Sequence, residues 1–280
     1  MNAIEIKGLS KKLKDFQIDN LNLTLPSGCI TGLIGENGAG KSTTIKLILN
    51  LLFKDRGTVT LLGKDNVKEL DLVKEDIGVI FDECSFPPDL NARQIGKIMK
   101  GSYRQWDAET YENYLTQFEL SPKKSIKNYS RGMKMKLSFA VALSHQAKLL
   151  ILDEATSGLD PVVRDDIIDL LMEFTKEEDR SILISSHIVS DLEKICDYIA
   201  FLHKGKLLLS EEKDKLYEQY GAIHCSEQQL SELPPKSVIG KKVGSFGAEA
   251  IVLKTAVPEE IACYPIDIEK LFIFMVKEHD

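Results

Sequence analysis

The stretch Gly35-Glu36-Asn37-Gly38-Ala39-Gly40-Lys41-Ser42-Thr43 constrains this chain more than any other. Cys29-Ile30-Thr31-Gly32-Leu33-Ile34 before it reads as a buried strand, and Thr44-Ile45-Lys46-Leu47-Ile48-Leu49 after it as a helix with an apolar face. Glycines between a strand and a helix let successive backbone N–H groups converge on an anion without Cβ interference. The helix adds the positive end of its dipole. Lys41 is spaced to reach β- and γ-phosphates as a point charge, and the Ser42 hydroxyl to complete a Mg²⁺ shell. The strand–loop–helix context separates this pattern from a glycine turn before an ordinary surface helix. It predicts a site for a nucleoside triphosphate along residues 35–43.

The chain's 280 residues suffice for one large domain with an appendage. A 43% hydrophobic, 28% charged composition is that of an ordinary globular protein. The net charge of −7 and pI near 5.4 oppose a basic footprint for nucleic acid. Lys11-Lys12-Leu13-Lys14 and Lys134-Met135-Lys136 are short basic clusters that read as solvated faces. No run approaches the roughly 18 apolar residues needed to cross a bilayer. Met1-Asn2-Ala3-Ile4-Glu5 has no secretory signature. Cys29, Cys84, Cys196, Cys225 and Cys263 are odd in number and lack C-x-x-C spacing, which points to the reducing cytosol rather than to a disulfide framework or zinc site.

Alternation in Ala3-Ile4-Glu5-Ile6-Lys7 and Leu21-Asn22-Leu23-Thr24-Leu25 predicts half-buried antiparallel strands ahead of the glycine loop. Thr58-Val59-Thr60-Leu61-Leu62 and Ile77-Gly78-Val79-Ile80-Phe81 are further strand candidates. The β signal then vanishes over about residues 91–146, where Asp107 is a helix N-cap and residues 130–143 form another helix. Leu149-Leu150-Ile151-Leu152 and Ile182-Leu183-Ile184 are short apolar runs, as in parallel strands covered on both faces. Asp160-Pro161 opens a helix between them. Strands at residues 198–202 and 206–209 close the main domain near Ser210. Beyond residue 216, Leu233-Pro234-Pro235 and Gly244-Ser245-Phe246-Gly247 read as turns, and residues 267–277 as a capped apolar helix. This tail is too short for a large core of its own and is expected to pack as a small α+β appendage. The expected fold is α/β.

Leu149-Leu150-Ile151-Leu152-Asp153-Glu154 is an apolar strand that ends in adjacent carboxylates. Its C-terminal edge is where open α/β sheets bind ligands. Asp153 can hold Mg²⁺ there, and Glu154 can orient and deprotonate an attacking water. Carboxylates also end strands as solvated turn residues, so the assignment needs the glycine loop beside it. Ser185-Ser186-His187 follows the next apolar strand, which puts His187 at the same edge, within reach of a γ-phosphate and its water.

Tyr129-Ser130-Arg131-Gly132-Met133 precedes the Asp153-Glu154 strand, and Ser157-Gly158-Leu159-Asp160 follows it. In this order and spacing, the set over about residues 2–215 resembles the ATP-binding subunit of an ABC transporter. The resemblance implies a P-loop NTPase core of ABC type over residues 1–215. It also implies an antiparallel β subdomain and a helical subdomain at about residues 86–147, which leaves residues 216–280 as the appendage. It further implies that Ser130 and Gly132 contact the γ-phosphate bound on a second subunit, with Asp160 at the same interface. The single P-loop and single signature then imply a head-to-tail homodimer around two ATP molecules with Mg²⁺. Lys41, Ser42, Asp153, Glu154 and His187 carry over as phosphate, metal and hydrolysis residues.

Three positions depart from the family pattern. Arg131 stands where a glycine is usual and adds positive charge to the signature. Asp82, followed by Glu83, stands where a glutamine is usual, and its carboxylate can serve as a metal ligand. Leu13 replaces the aromatic residue that stacks on adenine, and Phe16 is the nearest substitute, equally readable as a core strand residue. The resemblance implies an ATPase on the cytosolic face of a membrane that drives a separate integral-membrane permease, with motifs and tail of export type. The alternative from another class is a soluble ABC-type ATPase acting on a ribosome or DNA. The single ATPase unit, the lack of long heptads and the acidic pI disfavour it. A catalytically weak regulatory module would fit only Asp82 and the altered signature.

Overall fold

A computed structural model describes residues 1–244 and 247–279. Strand β1 (Asn2–Lys12) and strand β2 (Gln17–Pro26) form a hairpin that buries Ile4, Ile6, Leu21, Leu23 and Leu25. Their alternate residues point to opposite faces, so one face is dry. Strand β3 (Ile30–Ile34), buried at every residue, delivers the chain through the glycine loop to helix α1 (Lys41–Ile48). Strands β4 (Arg56–Leu61) and β5 (Lys64–Asp65) complete an antiparallel sheet of order β2-β1-β4-β5.

Strand β6 (Ile77–Ile80) leads into the helical insertion, which comprises α2 (Ala92–Ser102), α3 (Ala108–Gln117) and α4 (Arg131–Leu143). Each starts where a side chain satisfies open amides. Asn91 and Gln94 form a capping box, Asp107 accepts from the Glu109 and Thr110 amides, and Ser130 accepts from the Met133 amide.

The chain then alternates through β7 (Leu149–Asp153), α5 (Pro161–Phe174), β8 (Ser181–Ser186), α6 (Val189–Ile195), β9 (Tyr198–His203) and β10 (Lys206–Glu212). The central sheet has the order β10-β9-β3-β8-β7-β6. Strands β9, β3, β8, β7 and β6 are parallel, and β10 returns antiparallel. Full burial of β3, β7 and β8 reflects cover on both faces. This order gathers the ends of β3, β7, β8 and β6 at one sheet edge.

Helix α7 (Lys213–Gln219), β11 (Tyr220–Cys225), α8 (Glu227–Glu232), β12 (Val238–Gly244), β13 (Gly247–Leu253), β14 (Cys263–Tyr264) and α9 (Ile268–His279) build the α+β appendage. Its sheet runs β12-β13-β11-β14. The turn expected at residues 244–247 lies partly on Ser245 and Phe246, outside the described residues. The boundary expected at residue 216 falls inside α7. Although a small cluster around Ile223, Ala250 and Val252 is internal to the appendage, Leu271, Phe272, Met275 and Val276 of α9 share one core with Leu192 and Ile195 of α6. The Phe201 and Phe272 rings meet at 5.2 Å. Among the described residues no helix is long and apolar enough to cross a membrane.

Candidate functional site

The glycine loop is held from behind. Gly35 lies so close to β9 that a Cβ would stand 2.6 Å from the Leu202 carbonyl oxygen. Gly40, at φ 109°, ends the loop in a left-handed conformation with the Phe16 ring against it. Behind the loop, the Gly205 N–H donates to the Ala39 carbonyl at 2.9 Å, and the Gly205 carbonyl accepts from the Asp19 N–H at 3.0 Å. Gly40 brings no side-chain cap to α1, so the first amides of that helix are left for an external acceptor.

Two chains of contacts meet in front of the loop. In the first, Lys41 is buried, and its Nζ donates to the Gly35 carbonyl at 2.7 Å and the Glu36 carbonyl at 3.3 Å. The same ammonium pairs with Glu154 Oε1 at 3.0 Å, while Glu154 Oε2 lies 2.7 Å from His187 Nδ1. A carboxylate can only accept, so Nδ1 carries the proton here. A buried ammonium requires such oxygen partners, and phosphate oxygens can replace them.

In the second chain, buried Asp153 receives two hydroxyls on one oxygen. Ser42 Oγ donates to Oδ1 at 3.1 Å, and Ser185 Oγ donates to it at 2.7 Å. The Glu154 N–H is directed at the Ser185 carbonyl (3.1 Å) and Oγ (3.2 Å). Glu154 itself adopts φ 52°, uncommon for a residue with a Cβ. The left-handed turn sends its carboxylate to Lys41 and His187 while Asp153 serves Ser42.

The Ser42 hydroxyl and Asp153 carboxylate are hard oxygen donors that suit Mg²⁺, an ion that keeps several waters and binds proteins through one or two carboxylates plus phosphates. Among the described residues no group of three or more His, Cys, Asp or Glu could hold a metal. Two protein oxygens, from Ser42 and Asp153, fit a metal that arrives with a nucleotide.

The remaining predicted residues are placed less uniformly. Phe16 packs against the antiparallel-sheet core and stands over Gly40. It also lines an open cavity of about 540 Å³ formed by residues 12–17, Gly38 and Lys204, of a size to take a nucleobase. Ser130 and Asp160 are both exposed helix N-caps; Asp160 Oδ1 accepts from the Val163 N–H at 3.1 Å. Gly132 sits beside Val163, which brings the starts of α4 and α5 together. Asp82 lies two residues past Ile80, the partner of Leu152 in the sheet. Its carboxylate, expected to serve a metal, is instead bound to the Arg131 guanidinium.

Sequence reasoning missed Ser185 and Gly205 as parts of the site. Ser185 stood in the quoted Ser185-Ser186-His187 run, but nothing local shows that it faces Asp153 across the sheet. Nothing local marks Gly205, between the strands at residues 198–202 and 206–209, as a brace for the loop.

Residues 18–157 match the family described as ABC transporter. The ABC transporter ATP-binding protein YtrB of Bacillus subtilis (strain 168) is 33% identical, over 96% of this chain and 97% of its own. The chain belongs to the ABC transporter ATP-binding family. Among other relatives of this ABC ATPase, the lantibiotic transport ATP-binding protein SrtF of Streptococcus pyogenes is 36% identical, over 75% of this chain and 91% of its own. A solved ATP-binding subunit of an ABC transporter superposes with a TM-score of 0.70 at 27% identity, covering 76% of this chain and 91% of that one. The ATP-binding cassette MJ0796, a dimeric post-hydrolysis state bound to ADP and Pi, shares the fold with a TM-score of 0.67 at 22% identity, covering 75% and 98%. The ABC ATPase binds and hydrolyses ATP.

Proposed function

We propose that two copies of this ABC ATPase close head-to-tail on two Mg²⁺·ATP and thereby drive an integral-membrane permease encoded separately, in the direction of export. The observation that carries the reading is the Lys41–Glu154–His187 contact chain beside the Ser42–Asp153–Ser185 chain. Lys41 passes from Glu154 to the β- and γ-phosphates, and the ammonium is a fitting point charge for them. Glu154, released from Lys41, takes a proton from the attacking water, and His187 orients Glu154 and the γ-phosphate. Mg²⁺ held by Ser42 and Asp153 would neutralise phosphate charge. The proposed metal set is Ser42 and Asp153; the Asp82 carboxylate pairs with Arg131. The Phe16 cavity takes the adenine. Ser130, Gly132 and Asp160 face the second copy, supported by the exposure of Ser130 and Asp160 and by the dimeric MJ0796 cassette.

The lantibiotic transport protein among the relatives favours transport over a soluble non-transport ATPase. With no membrane-crossing helix among the described residues, the protein would dock on the cytosolic face of its permease. The helical insertion α2–α4 would carry the motion to it.

Glu154→Gln tests the reading. It should keep ATP binding, slow turnover by about 10²-fold or more, and accumulate an ATP-dependent dimer in size exclusion with light scattering. Undiminished hydrolysis, or a monomer in saturating ATP and Mg²⁺, refutes it.

A further inference from the structure

Arg131 and Asp82 are 49 residues apart in the chain, and both depart from the family pattern. In the fold the two departures are one contact, a guanidinium bound to a carboxylate. Arg131 is the first residue of α4, between Ser130 and Gly132, and the first turn of that helix contains no acid of its own. Asp82, from the loop after β6, is the counter-charge. The guanidinium also lies across the turn that follows Glu154. At Gly158, φ 65°, a Cβ would stand 2.8 Å from Nη1 and 2.9 Å from Cζ of Arg131. Three segments thus meet at one side chain: the loop after β6, the start of α4, and the turn between Glu154 and α5. The Arg131 and Asp82 side chains remain 50% and 47% exposed, so water and added anions reach the pair.

An exposed ion pair is held weakly and exchanges partners readily. A guanidinium fork pairs bidentately with phosphate as it does with carboxylate, and a helix N-terminus favours an anion beside it. We propose that Arg131 is a phosphate-binding residue for the ATP carried by a second copy of the chain. Asp82 is its positioning residue, parking the guanidinium over Gly158 until the copies close. This rests on the head-to-tail reading above. When nucleotide arrives from the partner, Arg131 exchanges a carboxylate for phosphate oxygens, and Asp82 is left without its cation. Asp82 therefore opposes closure and Arg131 favours it, and Asp82 does so only through Arg131.

The experiment uses full-length protein in the Glu154→Gln background and reads the ATP concentration at half-maximal dimer by light scattering. Asp82→Asn should lower that concentration about two- to fivefold, the range of an exposed ion pair. Arg131→Gln should raise it about tenfold or more, the value of a charge-assisted hydrogen bond. Asp82→Asn combined with Arg131→Gln should match Arg131→Gln alone, and Asp82→Glu should restore the parent value. ATP affinity at protein concentrations too low to dimerise should be equal in all of them. A higher ATP requirement in Asp82→Asn, or additive effects in the double variant, overturns the proposal, since a metal ligand or a merely structural pair behaves in those ways. If the parent Glu154→Gln protein never dimerises, the head-to-tail reading fails and takes this inference with it. A parent that dimerises, with no change in Asp82→Asn, removes the parking role alone.

Discussion

Ser185 shows how much one hydroxyl organises. Its Oγ donates to Asp153 Oδ1, and its main chain and hydroxyl both receive the Glu154 N–H, so it orients both carboxylates without needing to touch nucleotide. Partners that orient a metal-binding group commonly matter by about 10–100-fold. Ser185→Ala should lower ATP turnover by that order and shift the Mg²⁺ dependence to higher concentration, with metal-free nucleotide binding kept. A steady-state Mg²⁺ titration checks it. Gly205 is as demanding for a different reason. At φ 76° a Cβ there would lie 1.8 Å from the Gln17 carbonyl oxygen. Gly205→Ala should cost more than about 1 kcal/mol of stability. It should also weaken nucleotide binding, because Gly205 braces Ala39. Urea unfolding and nucleotide titration report the two effects separately.

Among the helices, α6 carries more connections than its length suggests. Asp191, on one side, pairs at 3.6 Å with Arg164 of α5, whose guanidinium also donates to the Leu159 carbonyl at 3.4 Å. Glu193, on the other, accepts from the Tyr217 hydroxyl at 2.7 Å and from the Ile268 N–H at 3.2 Å. Burial, then the Glu193 hydrogen bond, pushes the Tyr217 phenol far up, so it stays a donor at working pH. Glu193→Ala should cost about 1–3 kcal/mol by stranding these donors, whereas Glu193→Gln keeps acceptors for them; thermal melts distinguish the two. At the end of α4, buried His145 lies against Tyr103, ring planes 11° apart, with Nδ1 2.9 Å from the Glu75 carbonyl. Burial depresses its pKa below the ordinary 6.5, although the Glu75 carbonyl and the charges of Asp76 and Glu75 oppose the shift. The unfolded chain then binds the proton first as pH falls. Stability should therefore decline below about pH 6.5 and level off once the folded state also protonates. In His145→Gln this component should vanish from urea midpoints measured across pH 7.5 to 5.5.

Across the whole molecule, the appendage and the ATPase core are joined by apolar packing rather than tethered by a linker. Leu271 is fully buried in the cluster that also contains Leu192 and Ile199. Leu271→Ala should cost about 2–5 kcal/mol and move a single calorimetric transition. Two separated transitions would show that the appendage folds by itself. A shared core of this kind also passes displacement between α9 and α6 without a hinge, since close-packed interiors transmit strain.

The local order of residues was enough for the phosphate loop, the buried strands β3, β7 and β8, the helix caps at Asp107 and Asp160, and the carboxylate pair at a strand end. Each depends on spacing within about ten residues, where backbone geometry and burial period act directly. Only the folded molecule decided that Ser185 faces Asp153, that Gly205 braces the loop, that α9 shares a core with α6, and that Arg131 rests on Asp82. Those contacts depend on strand order and helix packing, which bring together residues far apart in the chain and leave no periodic trace in it.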